Sequence, residues 1–511
     1  MTQEADGAQS RDSGDPREEE KVRVWWWQRP TLRALAEEHE SEWRRLLNDP
    51  TERLPQIPDQ AGVALSGFVF AEAFPPSMAS RLHERLAARS SKKGGSPRAR
   101  WQDVWALSRS GEVTSWSTLG VVSRPNHGRE WATGRTDSTL PKGVENVELH
   151  LVHVIPSVAI VTAAFALTDE GSDLTKLLRT DYTGGARNPK VIPLGTMGSL
   201  RSRIPWSRPA RHTTSAQISS RADERRRAFN EYTERLEQEC RSWFVREFPG
   251  RFSRVDARDA PSVRIMLVEG CDPFRERDDW IADIGLGWTF PVFTSSACPG
   301  WSLTSDRPTP RQRRFGVTVA ARRDDVAADP RLGEGPEPNA AIVRRVTRQH
   351  QALIVPQSLE ALLSVHADRL AILRDGAGQR GKVRRPVREA RALDDYLLGD
   401  GLDAATVAPD VKALAQNCSV FSRDLPVYVE DLSHLAADQS KPAAELVPDL
   451  ATELVRRSES LIEDMSNTID NLRGSAELRQ AVANTRLQRT VVSFTLVALI
   501  VAVVSLLVTI L

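Results

Sequence analysis

The chain carries little that would mark it as an enzyme, a secreted protein or a nucleic-acid binder. Its four cysteines, Cys240, Cys271, Cys298 and Cys418, are far apart and form no Cys-x-x-Cys pair. That argues against a disulfide framework and a cysteine zinc site, and it fits a reduced compartment. Net charge is almost nil, 69 Lys+Arg against 68 Asp+Glu, so electrostatics give no case for nucleic acid and none is expected as a partner. Gly-x-Ser-x-Gly, His-Glu-x-x-His and the Rossmann fingerprint are all missing, and no internal repeat is evident. The opening MTQEADGAQSRDSGDPREEE is acidic and polar without an apolar core, so a secretory signal peptide is not expected.

What the sequence does have is a chargeless end. Thr490–Leu511, TVVSFTLVALIVAVVSLLVTIL, runs 22 residues without a charge, and at about 1.5 Å per residue that is roughly 33 Å of helix, enough for a hydrocarbon core. The run predicts one transmembrane helix with membrane lipid as a partner. Arg479, Arg486 and Arg489 just upstream predict a cytoplasmic N-terminal body by the positive-inside rule. The expected location is therefore the cell membrane, single-pass and tail-anchored.

The same region carries a packing pattern. Thr495, Ala498, Ala502, Ser505 and Thr509 follow a 3-4-3-4 spacing, within about 80° of one helix face. Small and hydroxylated residues so arranged suit a helix-packing or pore face. Upstream, Leu450/Leu454, Leu461/Met465, Leu472/Ala476 and Ala483/Leu487 recur every eleven residues, a period that favours a nearly straight or slightly right-handed bundle. One continuous stalk-plus-membrane helix over 441–511, self-associating along this stripe, is expected. The alternative is that the stripe packs on the protein's own body, and Gly474-Ser475 is a candidate hinge in either case.

A polar helical stalk running into NTRLQRTVVSFTLVALIVAVV resembles the stalk and first membrane helix of CorA-like divalent-cation transporters. The resemblance covers only this C-terminal stretch. The family's Gly-Met-Asn at the end of the membrane helix, which forms its ion-selective mouth, has no counterpart here, nor has its second membrane helix. Ordinary magnesium transport is therefore not implied. The homopentameric assembly of CorA-like proteins implies a homo-oligomer. An alternative function is then a permeation pathway made by several copies of the single helix, with Thr495, Ser505 and Thr509 facing the lumen.

Along the chain, composition predicts an α+β protein: a mixed α/β cytosolic body followed by a helical region and the long stalk. Residues 1–21 are charged and poor in large apolar groups, hence expected to be disordered. An α/β domain follows over 22–185. It opens on Trp25-Trp26-Trp27 and a helix at 31–48. Strands are expected at Gly67–Phe74, Val113–Val122, Val147–Val154 and Ala159–Leu167, and helices at Pro76–Ala88 and Ser172–Leu178. Residues 186–214, rich in Pro, Arg and Ser, read as a linker. Residues 215–338 read as a second α/β domain or as the second half of the same sheet. Phe229, Tyr232, Leu236, Cys240 and Trp243 mark an amphipathic helix over Ser215–Phe248, with strands at Val263–Val268, Ile284–Phe293 and Phe315–Ala320. Residues 339–440 are helical, with Ser358 as a candidate cap and further helices near 386–398, 402–417 and 427–437. The stalk spans 441–489 and the membrane helix 490–511.

Candidate sites are few. Asp272, Asp278, Asp279 and Asp283 cluster in CDPFRERDDWIAD, and acidic oxygens suit magnesium or calcium; a divalent cation is the one cofactor the sequence suggests. Arg275 and Arg277 neutralise much of that cluster and no EF-hand spacing appears, so a solvated loop is the simpler reading. His150 and His153 fall on opposite faces of a strand and make poor joint ligands. Cys298 sits in a Ser/Pro/Gly loop where a thiol could be exposed. Gly376 to Lys382 imitates a phosphate loop, but Val383 stands where Ser or Thr should hold magnesium. His366 lies on an apolar helix side and reads as a core histidine. The function these features favour is a membrane-anchored, homo-oligomeric sensor, scaffold or effector, with no catalytic residue to name; a membrane-tethered enzyme of unknown chemistry is the further reading.

Overall fold

GVALSGFVFAEAF has no polar face to offer water, so as a strand it must be covered on both sides. Gly62–Phe74 (β1) is such a strand, with all thirteen residues buried. A computed structural model describes residues 57–91, 115–123, 136–137, 139–182, 185–193, 212–255, 260–276, 279–287, 291–306, 316–327, 338–378, 396, 398–417, 427–431 and 443–510. After β1 come a 3-10 turn at Pro76–Met78 and a helix, Ala79–Ser91 (α1). Strands Ser115–Ser123 (β2), Thr136–Asp137 (β3), Val144–Ile155 (β4) and Val158–Leu167 (β5) follow, then short helices Asp169–Ser172 (α2) and Thr175–Leu178 (α3). Gly185–Pro193 (β6) and His212–Ser219 (β7) precede the long helix Arg221–Glu247 (α4). Next are Ser262–Glu269 (β8), Asp279–Asp283 (α5), Val292–Thr294 (β9), Trp301–Asp306 (β10), Gly316–Arg322 (β11) and Arg323–Ala327 (α6). The helical half holds Pro338–Gly378 (α7), Asp400–Gln416 (α8), the two-residue strand Val429–Glu430 (β12) and Leu446–Ile510 (α9).

The chain forms two units. The smaller consists of Met1–Ile57, Lys176–Glu231 and Asp278–Gly285. Within it β6 and β7 pair antiparallel, so the stretch read as a linker carries a strand at each end. A deeply buried ion pair in it joins Arg225 Nε to Asp283 Oδ2 at 2.8 Å, with Arg226 Nη2 3.3 Å from the other carboxylate oxygen.

The larger unit, Pro58–Thr175, Tyr232–Arg277 and Leu286–Leu511, is built on a ten-stranded sheet ordered β12-β9-β10-β11-β8-β1-β5-β4-β2-β3. Neighbours are antiparallel except β11–β8 and β2–β3. β1 sits near the middle, paired with β5 in the register Phe68↔Phe165 and with β8 across a bulge at Leu65/Gly67. On one face Phe70 meets Phe165 edge-on, Phe165 meets Trp243 of α4, and the Arg241 guanidinium lies 4.8 Å over the Phe70 ring. On the other face α7 crosses β1 and β5, and α8 and α9 pack on α7. Where α7 crosses, a Cβ at Gly67 would stand 2.0 Å from the Phe165 carbonyl oxygen and 2.6 Å from Val343 Cγ2. Only a residue without a side chain lets helix and sheet approach this closely.

Several expectations are revised. Ser358 does not start a helix: α7 runs unbroken through Pro356, and the Ser358 hydroxyl donates to the Ile354 carbonyl at 2.5 Å. Ile354, Val355 and Leu359 are wholly buried, so core packing holds the helix through the lost N–H of the proline. Of the strand expected over Ile284–Phe293, Ile284 instead closes a turn, its N–H donating to Ile281 O, and the described strand is Val292–Thr294; residues 288–290 lie outside the described residues. β10, WSLTSD, had no reading as a strand; its polar residues pair with β9 and β11. Residues 429–430 are a strand, not part of a helix at 427–437. The tryptophan triplet, the helix at 31–48, Lys382 and most of 386–398 lie outside the described residues.

The largest revision concerns the C-terminus. α9 is one continuous helix of 65 residues through Gly474-Ser475, as a stalk reading requires. The single-pass, tail-anchored location in the cell membrane is nevertheless corrected, because among the described residues no helix is long and apolar enough to cross a membrane. The expected cytoplasmic orientation rested on that span. The eleven-residue stripe is revised as well. Leu450, Leu454, Leu461 and Met465 are buried in the protein's own core, so the first two repeats dock on α7 and α8 and are closed to a second copy.

Candidate functional site

α8 begins DGLDAATVAPD, and its aspartates at 400, 403 and 410 come round to within about 80° of one another on a helix. Each fastens a different segment of the larger unit. Asp403 takes the Ser77 N–H at 2.9 Å and the Ser77 hydroxyl at 2.5 Å, holding the turn after β1. Asp410 Oδ2 takes the Ser157 N–H at 3.1 Å, holding the β4–β5 turn. Asp400 Oδ1 takes Arg251 Nη1 at 2.6 Å, holding the segment after α4. Two of the three stand in the first turn, where the helix dipole favours carboxylates.

Behind Asp400 lies a buried polar centre. Arg251 N–H donates to Ala73 O at 2.8 Å and Phe252 N–H to Glu72 Oε2 at 2.9 Å, so residues 250–252 wrap the end of β1. Burial pushes the Glu72 carboxyl up to about 8, against the opposing pull of the Phe252 N–H and the Arg241 charge. Burial likewise lowers His366 to about 4, helped by the Arg251 charge. Tyr396 is raised to about 12 by burial and by Asp400. For Asp400 burial acts upward, but the hydrogen bond and charge of Arg251, with Arg369 and His366, outweigh it and hold its carboxyl low. Among the described residues, Arg251 Nε and Nη2, both His366 ring nitrogens and the Tyr396 hydroxyl have no hydrogen-bond partner. That unused capacity suits ordered water.

One turn along α8 the surface opens into a cleft of about 530 Å³ between α8, the β4–β5 turn and the start of α1. Phe74, Pro76 and Pro409 supply apolar wall; His153, Ser157 and Asp410 supply the polar groups. Burial holds His153 down to about 4, so its ring is neutral. A second cleft, of about 840 Å³, runs along α4 beside Trp243, whose Nε1–H donates to Thr139 O at 3.1 Å. Its rim mixes Arg235 and Arg246 with Glu239 and Glu247 and offers no net complement to a charged ligand.

The acidic cluster is dispersed in use. Asp272 receives Arg275 Nη1 at 3.3 Å, and its N–H donates to Glu276 Oε1. Both Asp283 oxygens are taken by Arg225 and Arg226. Asp278 and the Asp279 side chain lie outside the described residues. No group of three His, Cys, Asp or Glu that could hold a metal ion occurs among the described residues. Cys298, in a loop where a thiol could be exposed, is buried, because Trp301 and Leu303 fold that loop into the core. His150 Nδ1 lies 3.4 Å from the Thr118 hydroxyl and its Nε2 3.5 Å from Glu148, whereas His153 lines the α8 cleft; they go to different surroundings. His366 is fully buried on α7, as a core histidine should be.

α9 divides into two stretches. Its first turns are tied to the body by Arg457, which reaches Ser364 Oγ at 2.6 Å and Glu360 at 3.0 Å, and by Glu459 with Lys412 at 2.9 Å. Farther along, Leu487, Val491, Val492, Phe494 and Leu496 are exposed. Thr495 and Ala498 are exposed too, with the Thr495 hydroxyl returned to Val491 O at 2.8 Å. The side chains of Ala502, Ser505 and Thr509 lie outside the described residues.

Compared with known proteins, the chain matches no family model, no curated protein and no solved structure. The α8 arrangement has a faint sequence signal, three aspartates on one side of a short helix. Their partners, Ser77, Ser157 and Arg251, are 149 to 326 positions away and carry none.

Proposed function

We propose that the protein is a homo-oligomeric scaffold or effector that self-associates through the end of α9. The distribution of apolar side chains along that helix supports the reading. Leu454 is 1% exposed where α9 lies on the body, whereas Leu487 is 67% and Phe494 71% exposed beyond it. Leu487, Val491, Phe494 and Ala498 follow a 4-3-4 spacing, a stripe that an identical helix matches knob for hole. Val492 and Leu496 lie roughly 140–180° round the helix from that stripe. Apolar side chains on two sides call for a neighbour on each, so the assembly has more than two copies, most simply in a closed ring.

Sedimentation velocity of the full chain tests this. The expected result is a species several times the 56.8 kDa chain mass, reduced to that mass by Leu487→Glu with Phe494→Glu. An unsubstituted chain that sediments at 56.8 kDa overturns the proposal.

A further inference from the structure

The cleft beside α8 is a concavity with a one-sided chemistry. At about 530 Å³ it falls within the roughly 300–1,000 Å³ that small-molecule sites occupy. Its wall is mostly apolar, with Phe74, Pro76 and Pro409 among its lining. Its polar groups are mainly acceptors. Asp410 spends Oδ2 on the Ser157 N–H, and among the described residues no cation is paired with its carboxylate. Pro409 has no N–H, so the carbonyl of Ala405, four residues back, is deprived of its helical donor; both residues line the cleft. His153, kept neutral by burial, adds no positive charge.

We infer that this cleft binds small organic cations, ammonium-bearing molecules with an apolar body. The apolar part is covered by Phe74 and the two prolines, and the ammonium head meets the Asp410 carboxylate and the Ala405 carbonyl. A carboxylate or phosphate would meet the Asp410 charge with no cation to offset it. A neutral alcohol would gain the apolar contact without the charge-assisted bond.

Calorimetric titration of the full chain at pH 7.5 with phenethylammonium chloride, 3-phenylpropionate and 3-phenyl-1-propanol tests the inference. Phenethylammonium is expected to bind at least tenfold more tightly than the alcohol, with no heat from the carboxylate. Asp410→Asn retains an oxygen for the Ser157 N–H and should lower the cation's affinity at least tenfold, leaving the alcohol unchanged. Ala405→Trp, placed on an exposed position, should fill the cleft and abolish both, with an unchanged melting temperature as the check on folding. Absence of cation binding to the unsubstituted chain overturns the inference. So does binding that survives Asp410→Asn or Ala405→Trp, or equal binding of the carboxylate.

Discussion

Arg251 Nη1 donates to Asp400 Oδ1 at 2.6 Å, fastening the segment that follows α4 to the first turn of α8. The arginine side chain is almost wholly buried and the aspartate about a quarter exposed. The pair is therefore shielded at one end and wet at the other. Arg251→Met should cost about 1–3 kcal/mol, less than a fully buried pair because Asp400 keeps some solvent. Urea unfolding of Arg251→Met, Asp400→Asn and the double variant checks it. The double variant should lose less than the sum of the singles, since removing both partners strands no charge.

Glu72 makes stability fall with rising pH. The folded chain holds its proton up to about pH 8, while the unfolded chain releases it near the ordinary 4.5. Between those values the folded state binds more protons, so alkali favours unfolding. From pH 6.5 to 8.5 the loss from this group should be about 2 kcal/mol. Glu72→Gln keeps an oxygen for the Phe252 N–H and should remove most of that dependence. Urea midpoints at the two pH values measure it; equal slopes for both proteins would refute the assignment.

His366 acts in the opposite direction, on the acid side. Its folded value near 4 lies below the ordinary 6.5, so the unfolded chain takes up the proton first. The stability it permits is complete above pH 6.5 and declines as pH falls toward 4. His366→Leu, on a helix side shared with Leu359, Leu362 and Leu363, should leave stability at pH 7.5 unchanged or higher. Its loss between pH 6.5 and 4 should be smaller by about 2–3 kcal/mol than in the unsubstituted chain.

Gly67→Ala should be among the most damaging single methyl additions in the molecule. The new Cβ would meet backbone at 2.0 Å from Phe165 O, and backbone in the middle of a ten-stranded sheet has nowhere to move. A cost of about 3 kcal/mol or more is expected, read as a drop in thermal midpoint. Val343→Ala in the same chain should recover little of it, because the carbonyl contact is the closer one.

Much of the local structure is readable from the chain. β1, β4, β5, α4 and β8 follow from apolar runs or 3.6-residue periodicity, because burial leaves its mark on every residue of an element. β10 does not, since its Ser and Thr are made strand-like by the ladders on either side. Ser358 looks like a cap until the core around Pro356 holds the helix past it.

The sequence by itself determined an α+β composition, the near-absence of net charge and the length and continuity of the final helix, since these depend on residue type and local spacing alone. Only the tertiary structure decided that the strands of 262–322 join the same sheet as those of 62–167, and that the first half of α9 is spent on the body. It alone made three aspartates of α8 the fasteners of segments up to 326 positions away. Those outcomes depend on which surfaces meet, and a hydrogen bond or a buried leucine is indifferent to how much chain separates its partners.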